Sequence, residues 1–320
     1  MSSKLTSSCR AICHPNLRHS LLVILTITLV LFGTACNSVK TSSTPSVFVS
    51  IPPQAFFVEQ IAGTSVEINI LVGPGQSPAT YDPTPQQMAR LANADILFTV
   101  GVPFEQHLLD KIKSGFKNLE IVNTYNKIKL RPINHNHEHE ATGLNDPHIW
   151  LDPSLVKIQS KTICKALCRL MPDHKKTFED NLTKFNQRLD SITADIHRKL
   201  SSLEKRTIYV FHPSYGYFCD AFDLKQVTIE KRGKEPSAQQ LSSIVDRCLE
   251  NSVNVIFVQP QFSQKSAKAI AKTIDGNIVP LDPLARDYFN NLNDMAEKIA
   301  AALSEKNINT TKPKTLSEGQ

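Results

Sequence analysis

The sequence predicts an α/β fold of two lobes, each a parallel sheet flanked by helices, joined by one long rigid helix. Three observations carry this. Short β-branched runs alternate with helical stretches between residues 47 and 122. Apolar residues then recur at three- and four-residue steps from Phe178 to Leu200. The strand–helix alternation resumes at Thr207. Such alternation belongs to parallel sheets with crossover helices.

In order, Val47–Ile51 reads as a strand stopped by Pro52 and Pro53, and Gln54–Ala62 as a short helix. Val66–Val72 is a strand ended by Gly73-Pro74-Gly75. Thr84–Asn93 is helical, with a proline in its first turn. Ile96–Val100 and Leu119–Val122 are strands around a helix at Glu105–Lys113. Leu155, Ile158, Ile163, Ala166, Leu167 and Leu170 mark a helix that Pro172 interrupts. Residues 173–202 would then form a helix about 45 Å long at 1.5 Å per residue, too long for an ordinary crossover. Strands follow at Thr207–Phe211, Gln226–Ile229, Val255–Val258 and Ile278–Pro280. Helices fall at Tyr215–Phe222, Pro236–Asn251, Ser263–Ile274 and 288–304.

The organisation expected is a signal peptide at 1–35, a tether at 36–46 and an N-terminal lobe at 47–172 with a His-rich loop at 134–141. A linking helix at 173–204, a C-terminal lobe at 205–305 and a disordered tail at 306–320 complete it. The signal reading rests on Lys4, Arg10 and Arg18, then a 12-residue apolar run from Leu21 to Phe32, then Gly33-Thr34-Ala35. That run is short of the roughly 20 residues that span a bilayer. Cleavage after Ala35 makes Cys36 the new N-terminus, and this resembles a bacterial lipoprotein signal. Small-x-small before the cut also suits ordinary signal peptidase at the same bond. Residues 37–46 are polar and rich in Ser, Thr and Pro, as a flexible tether is.

Formal charge is +6, and the signal carries three of those positive charges with no acidic residue, leaving about +3. So mild a balance, without a basic and aromatic stripe, excludes a nucleic-acid partner. Of seven cysteines, Cys9 and Cys13 leave with the signal and Cys36 takes the lipid. Cys164, Cys168, Cys219 and Cys248 remain in an oxidising compartment. The Cys219–Cys248 pair is the disulfide candidate, with buried thiols as its alternative.

Three segments carry the chemistry. They are His148 in DPHIWLDP, His212 in VFHPSYGYF and Asp282 in VPLDPLARDYF. Each stands where an extended run gives way to a polar turn. Two imidazoles and one carboxylate suit a borderline divalent metal, zinc above all. Each has a plainer reading by itself: a turn histidine, a strand-end cap, or an Asp-Pro turn pair.

Together with GKEPSA (233–238), these segments resemble the zinc/manganese solute-binding proteins of bacterial metal ABC importers, in the right order from about 47 to 303. The resemblance implies a rigid two-lobed monomer, not an enzyme. It would hold one divalent ion between its lobes and pass it to a membrane permease driven by an ATPase. Zinc is the expected cargo, ahead of manganese and iron, because an imidazole stands at His212 where manganese members carry a carboxylate. The expected location is the membrane surface, lipid-anchored, facing the periplasm or the cell exterior.

The family's first ligand is a histidine in a loop like SPHTYEPTP, whereas this chain has SPATYDPTP with Ala79. A methyl coordinates nothing. Water is one replacement, since zinc accepts three protein ligands and a water. Asp82, Glu105 or Glu230 is another. A histidine of the HNHEHE loop (His135, His137, His139) is a third. Family zinc members often carry a His- and acid-rich insert at that place. Two other functions stand beside transport: a zinc-dependent hydrolase using bound water, and a surface adhesin with a structural metal. No HExxH pair supports the former.

Overall fold

The computed structural model describes residues 44–112, 115–133, 145–229 and 238–304. The first sheet is built from β1 (Ser46–Val49), β2 (Glu67–Ile70), β3 (Ile96–Thr99) and β4 (Glu120–Asn123). All its pairings are parallel, in the order β2-β1-β3-β4. The second contains β5 (Thr207–Val210), β6 (Lys225–Thr228), β7 (Val255–Val258) and β8 (Asn277–Pro280). It repeats the plan as β6-β5-β7-β8, again parallel. The predicted fold class is the one observed.

Crossover helices cover the first sheet: α1 (Pro52–Ala62), α2 (Pro85–Leu91) and α3 (Pro103–Ile112). Pro52 and Pro53 do more than stop β1, for they form the first turn of α1. Proline tolerates that place because the first N–H groups of a helix have no partner in it. Thr84 caps α2 reciprocally with Gln87, which satisfies two such donors. Next come α4 (Pro153–Leu170) and α5 (Lys175–Leu200), the latter 26 residues long. In the second half α6 (Gly216–Ala221), α7 (Ala238–Glu250), α8 (Lys265–Thr273) and α9 (Tyr288–Ser304) complete the order.

The long helix α5 joins the halves by packing. Phe178, Phe185, Leu189, Ile196 and Leu200 form its buried stripe. The helix packs against α1, α4 and α9. Asn181 donates to the Ile61 carbonyl at 3.0 Å, and Arg188 to Gln60 Oε1 at 2.6 Å. Lys199 pairs with Glu297 on α9. Phe56 and Phe57 of α1 meet Tyr288 and Phe289 of α9 directly, with ring centroids 5.4 Å apart for Phe56–Phe289 and 5.0 Å for Phe57–Tyr288. The main hydrophobic core therefore runs unbroken from β1 to α9. A second, smaller core lies under α7 and α8, on one face of the second sheet.

These two cores correct the disulfide expectation. Cys219 is buried in the main core and Cys248 in the smaller one, and both are free thiols. Helices α6 and α7 are successive in sequence, but their cysteines serve different cores, so adjacency in the chain does not bring them together. Cys164 and Cys168 are also free, with sulfurs 3.9 Å apart on α4.

Among the described residues, no helix is long and apolar enough to cross a membrane. Residues 1–35 and the tail lie outside them.

Candidate metal site

In parallel sheets, ligands bind beyond the carboxyl ends of the strands, where the strand order reverses. Here the reversals lie between β1 and β3 and between β5 and β7. A cavity of about 550 Å3 opens at these ends, and its wall includes Ala79, Glu105, His148, Trp150, His212 and Gln261.

His148 precedes a single 3-10 turn at Ile149–Leu151. Two residues earlier, Asp146 accepts from the His148 backbone N–H at 3.0 Å and holds its Nδ1 at 2.7 Å. A carboxylate can only accept here, so Nδ1 carries the proton and Nε2 keeps its lone pair. Metal-bound imidazoles are oriented this way. Asp146 is itself buried, and its backbone carbonyl accepts from Tyr217 Oη at 3.1 Å. Tyr217 Oη in turn accepts from the Arg131 N–H at 2.9 Å.

His212 follows β5. Its carbonyl accepts from the Ser214 N–H at 2.8 Å and from Gln259 Nε2 at 2.9 Å, which fixes the turn. Its ring lies against Phe262, with centroids 4.5 Å apart. The rings of His148 and His212 face each other edge to face, with centroids 5.9 Å apart. One imidazole thus comes from each half of the chain.

Asp282 follows β8 and stands apart from that pair. Its Oδ1 accepts from Gln261 Nε2 at 2.6 Å and from the Leu284 N–H at 2.9 Å. Gln261, Pro283 and Leu284 form the cavity wall at this point, whereas Asp282 is not part of it. Among the described residues no three His, Cys, Asp or Glu side chains converge closely enough to hold a metal. Behind Asp282, Tyr215 is fully buried and donates to the Leu281 carbonyl at 2.8 Å. Burial, and then the Asp282 charge, push its hydroxyl pKa well up.

Of the auxiliary candidates, Glu105 lies on the cavity wall but is turned into the backbone. Its oxygens accept from the Val100 N–H at 2.8 Å and the Gly101 N–H at 2.7 Å. Gly101 has φ of 91°, a conformation that suits glycine, and it makes this turn after β3. Burial raises the Glu105 carboxyl to about 7, against these hydrogen bonds. Asp82 is exposed at the surface, paired with Lys111. His135, His137, His139, Glu230 and Cys36 lie outside the described residues.

Sequence reasoning missed Asp146 and Gln261. The DPH spacing was the available sign for Asp146, since a side chain two residues back reaches a turn N–H. No local sign exists for Gln261, whose bond to Asp282 spans 21 residues.

The family profile described as "ZnuA: Zinc-uptake complex component A periplasmic" matches residues 47–302. A putative metal-binding protein of Chlamydia muridarum is 28% identical over 256 residues, covering 79% of this chain and 90% of its own length. The high-affinity zinc uptake system protein ZnuA of Haemophilus influenzae is 26% identical over 288 residues, covering 74% and 85%. A crystal structure of ZnuA superposes with a TM-score of 0.77 at 39% identity, across 82% of this chain and 100% of that one. A ZnuA deletion mutant with zinc bound gives 0.76 at 39% identity, with the same coverage of both chains.

Proposed function

The chain belongs to the ZnuA family of periplasmic zinc-uptake components, and from that premise we propose that it captures one zinc ion between its halves and hands it to the permease of an ABC importer. The family is one of binding proteins and not of enzymes, which sets the hydrolase reading aside. The observation that carries the proposal is the facing pair of imidazoles, one from each half, on the wall of one cavity. His148 offers Nε2 because Asp146 occupies Nδ1. His212 is the second ligand. Asp282 is the third, and it reaches the ion when Gln261 releases its carboxylate. Two imidazoles favour zinc over manganese, which prefers hard oxygen donors.

Direct titration of the metal-free chain tests this. One tight zinc per chain is expected, with manganese unable to displace it. The same stoichiometry should persist after deletion of residues 134–141, whose histidines serve only as weak accessory capture. Absence of a tight zinc site would end the proposal.

The N-terminal signal supports a lipid anchor on Cys36. Cys36→Ser should release the protein from membranes or leave the precursor uncut. Unchanged membrane attachment with unchanged acyl labelling would refute the anchor.

A further inference from the structure

The cavity is far larger than its presumed cargo. A water molecule claims about 30 Å3 of liquid, so an ion with two waters fills a small part of about 550 Å3. Cavities of roughly 300–1,000 Å3 hold small organic molecules. The wall is also wrong for a hydrated ion. Val102, Leu109, Tyr125, Leu130, Trp150 and Phe262 are among its apolar residues. Apolar side chains strip water without replacing its hydrogen bonds, whereas they suit a carbon skeleton.

Three further facts bear on what that skeleton carries. Ala79 is on the wall and brings no donor atom. Gln261 Oε1 is buried without a hydrogen-bond partner, in a side chain on the same wall. Among the described residues no lysine or arginine lines the cavity, so a polyanionic chelator such as citrate would meet no counter-charge from them.

We propose that zinc enters this cavity as a chelate, carrying one organic ligand of amino-acid size whose complex with the ion has no net negative charge. The proposal rests on His148 and His212 binding zinc. The organic ligand fills the space beside the apolar wall and supplies the donor missing at Ala79. An N–H of that ligand satisfies Gln261 Oε1. L-histidine is the natural probe, because its anion and one zinc ion sum to a single positive charge.

The test is equilibrium dialysis of the full chain with radioactive zinc, with and without labelled L-histidine. For a site that takes the bare ion, added histidine competes in solution and lowers apparent zinc affinity. For a chelate site, apparent affinity holds or rises about tenfold, roughly 1.4 kcal/mol, and one histidine is retained per zinc. Ala79→His supplies donor and bulk together. It should hold zinc at least as tightly as the wild type and lose histidine retention about tenfold or more. Tight zinc binding that histidine merely weakens overturns the chelate and leaves zinc capture standing. Unaltered histidine retention in Ala79→His overturns it too. A chain that holds zinc under neither condition overturns both readings.

Discussion

Replacing His212 by Ala should weaken zinc binding by more than about 100-fold. Loss of an outer partner to a metal ligand typically costs 10–100-fold, and His212 is proposed as a ligand itself. Its ring faces His148 across the cavity, and among the described residues no other side chain on that wall offers an imidazole. Removing it leaves one imidazole and a carboxylate tied to Gln261. The ring touches Phe262 at the cavity, and the turn is held through the His212 carbonyl, a contact that alanine keeps. Stability should therefore change little while affinity collapses. His148→Ala should behave alike, and Asp82→Ala, on the exposed surface, should not. Competition against a zinc-binding dye would measure all three. Wild-type affinity in His212→Ala would dismantle the site, whatever the family.

Trp150→Ala should cost roughly 3–5 kcal/mol of folding stability, the range for large aromatic residues cut to alanine in cores. Trp150 is 1% exposed, and its Nε1 donates to the Pro283 carbonyl at 2.7 Å. One side chain thus ties the segment after His148 to the turn after Asp282. Trp150→Phe keeps much of the ring but orphans that carbonyl, for about 1–3 kcal/mol. Urea unfolding separates the two variants. A cost below about 1 kcal/mol for Trp150→Ala would contradict the tie. Trp150 is the only tryptophan in the chain and its ring lies 5.2 Å from that of His148, so its fluorescence should change if zinc binds there as proposed.

The elements were legible because their periods are local. The stripe from Phe178 to Leu200 reads as one face of a helix in any context. Each lobe's strands are short and β-branched between breakers, as in β7. His212 was legible because a strand end and a turn proline flank it, and His148 because a turn proline precedes it. What could not be read was the partnership of side chains. Glu105 looked like a spare ligand, yet the turn at Gly101 takes both its oxygens. Cys219 and Cys248 looked like partners, yet the sheet divides the helices' burial between two cores. Asp282 is held by Gln261 through an arrangement that only the assembled sheet creates. In each case sequence supplies the group, and tertiary contacts decide what it does.

The unbroken core beneath both sheets has a kinetic consequence. Prising the halves apart would bring Phe56, Phe57, Tyr288 and Phe289 into water, at about 25 cal/mol for each Å2 of apolar surface. Such an excursion is rare, so the residence time of the cargo is not governed by a gaping motion of the whole molecule. The release step that the proposed site implies is local instead: Gln261 letting go of Asp282. Collective domain motions take microseconds to milliseconds, and a single side-chain rearrangement needs none of them. On the proposed function, a permease would have only to perturb a few side chains around Gln261 to unload the protein, while the core between the halves stays packed.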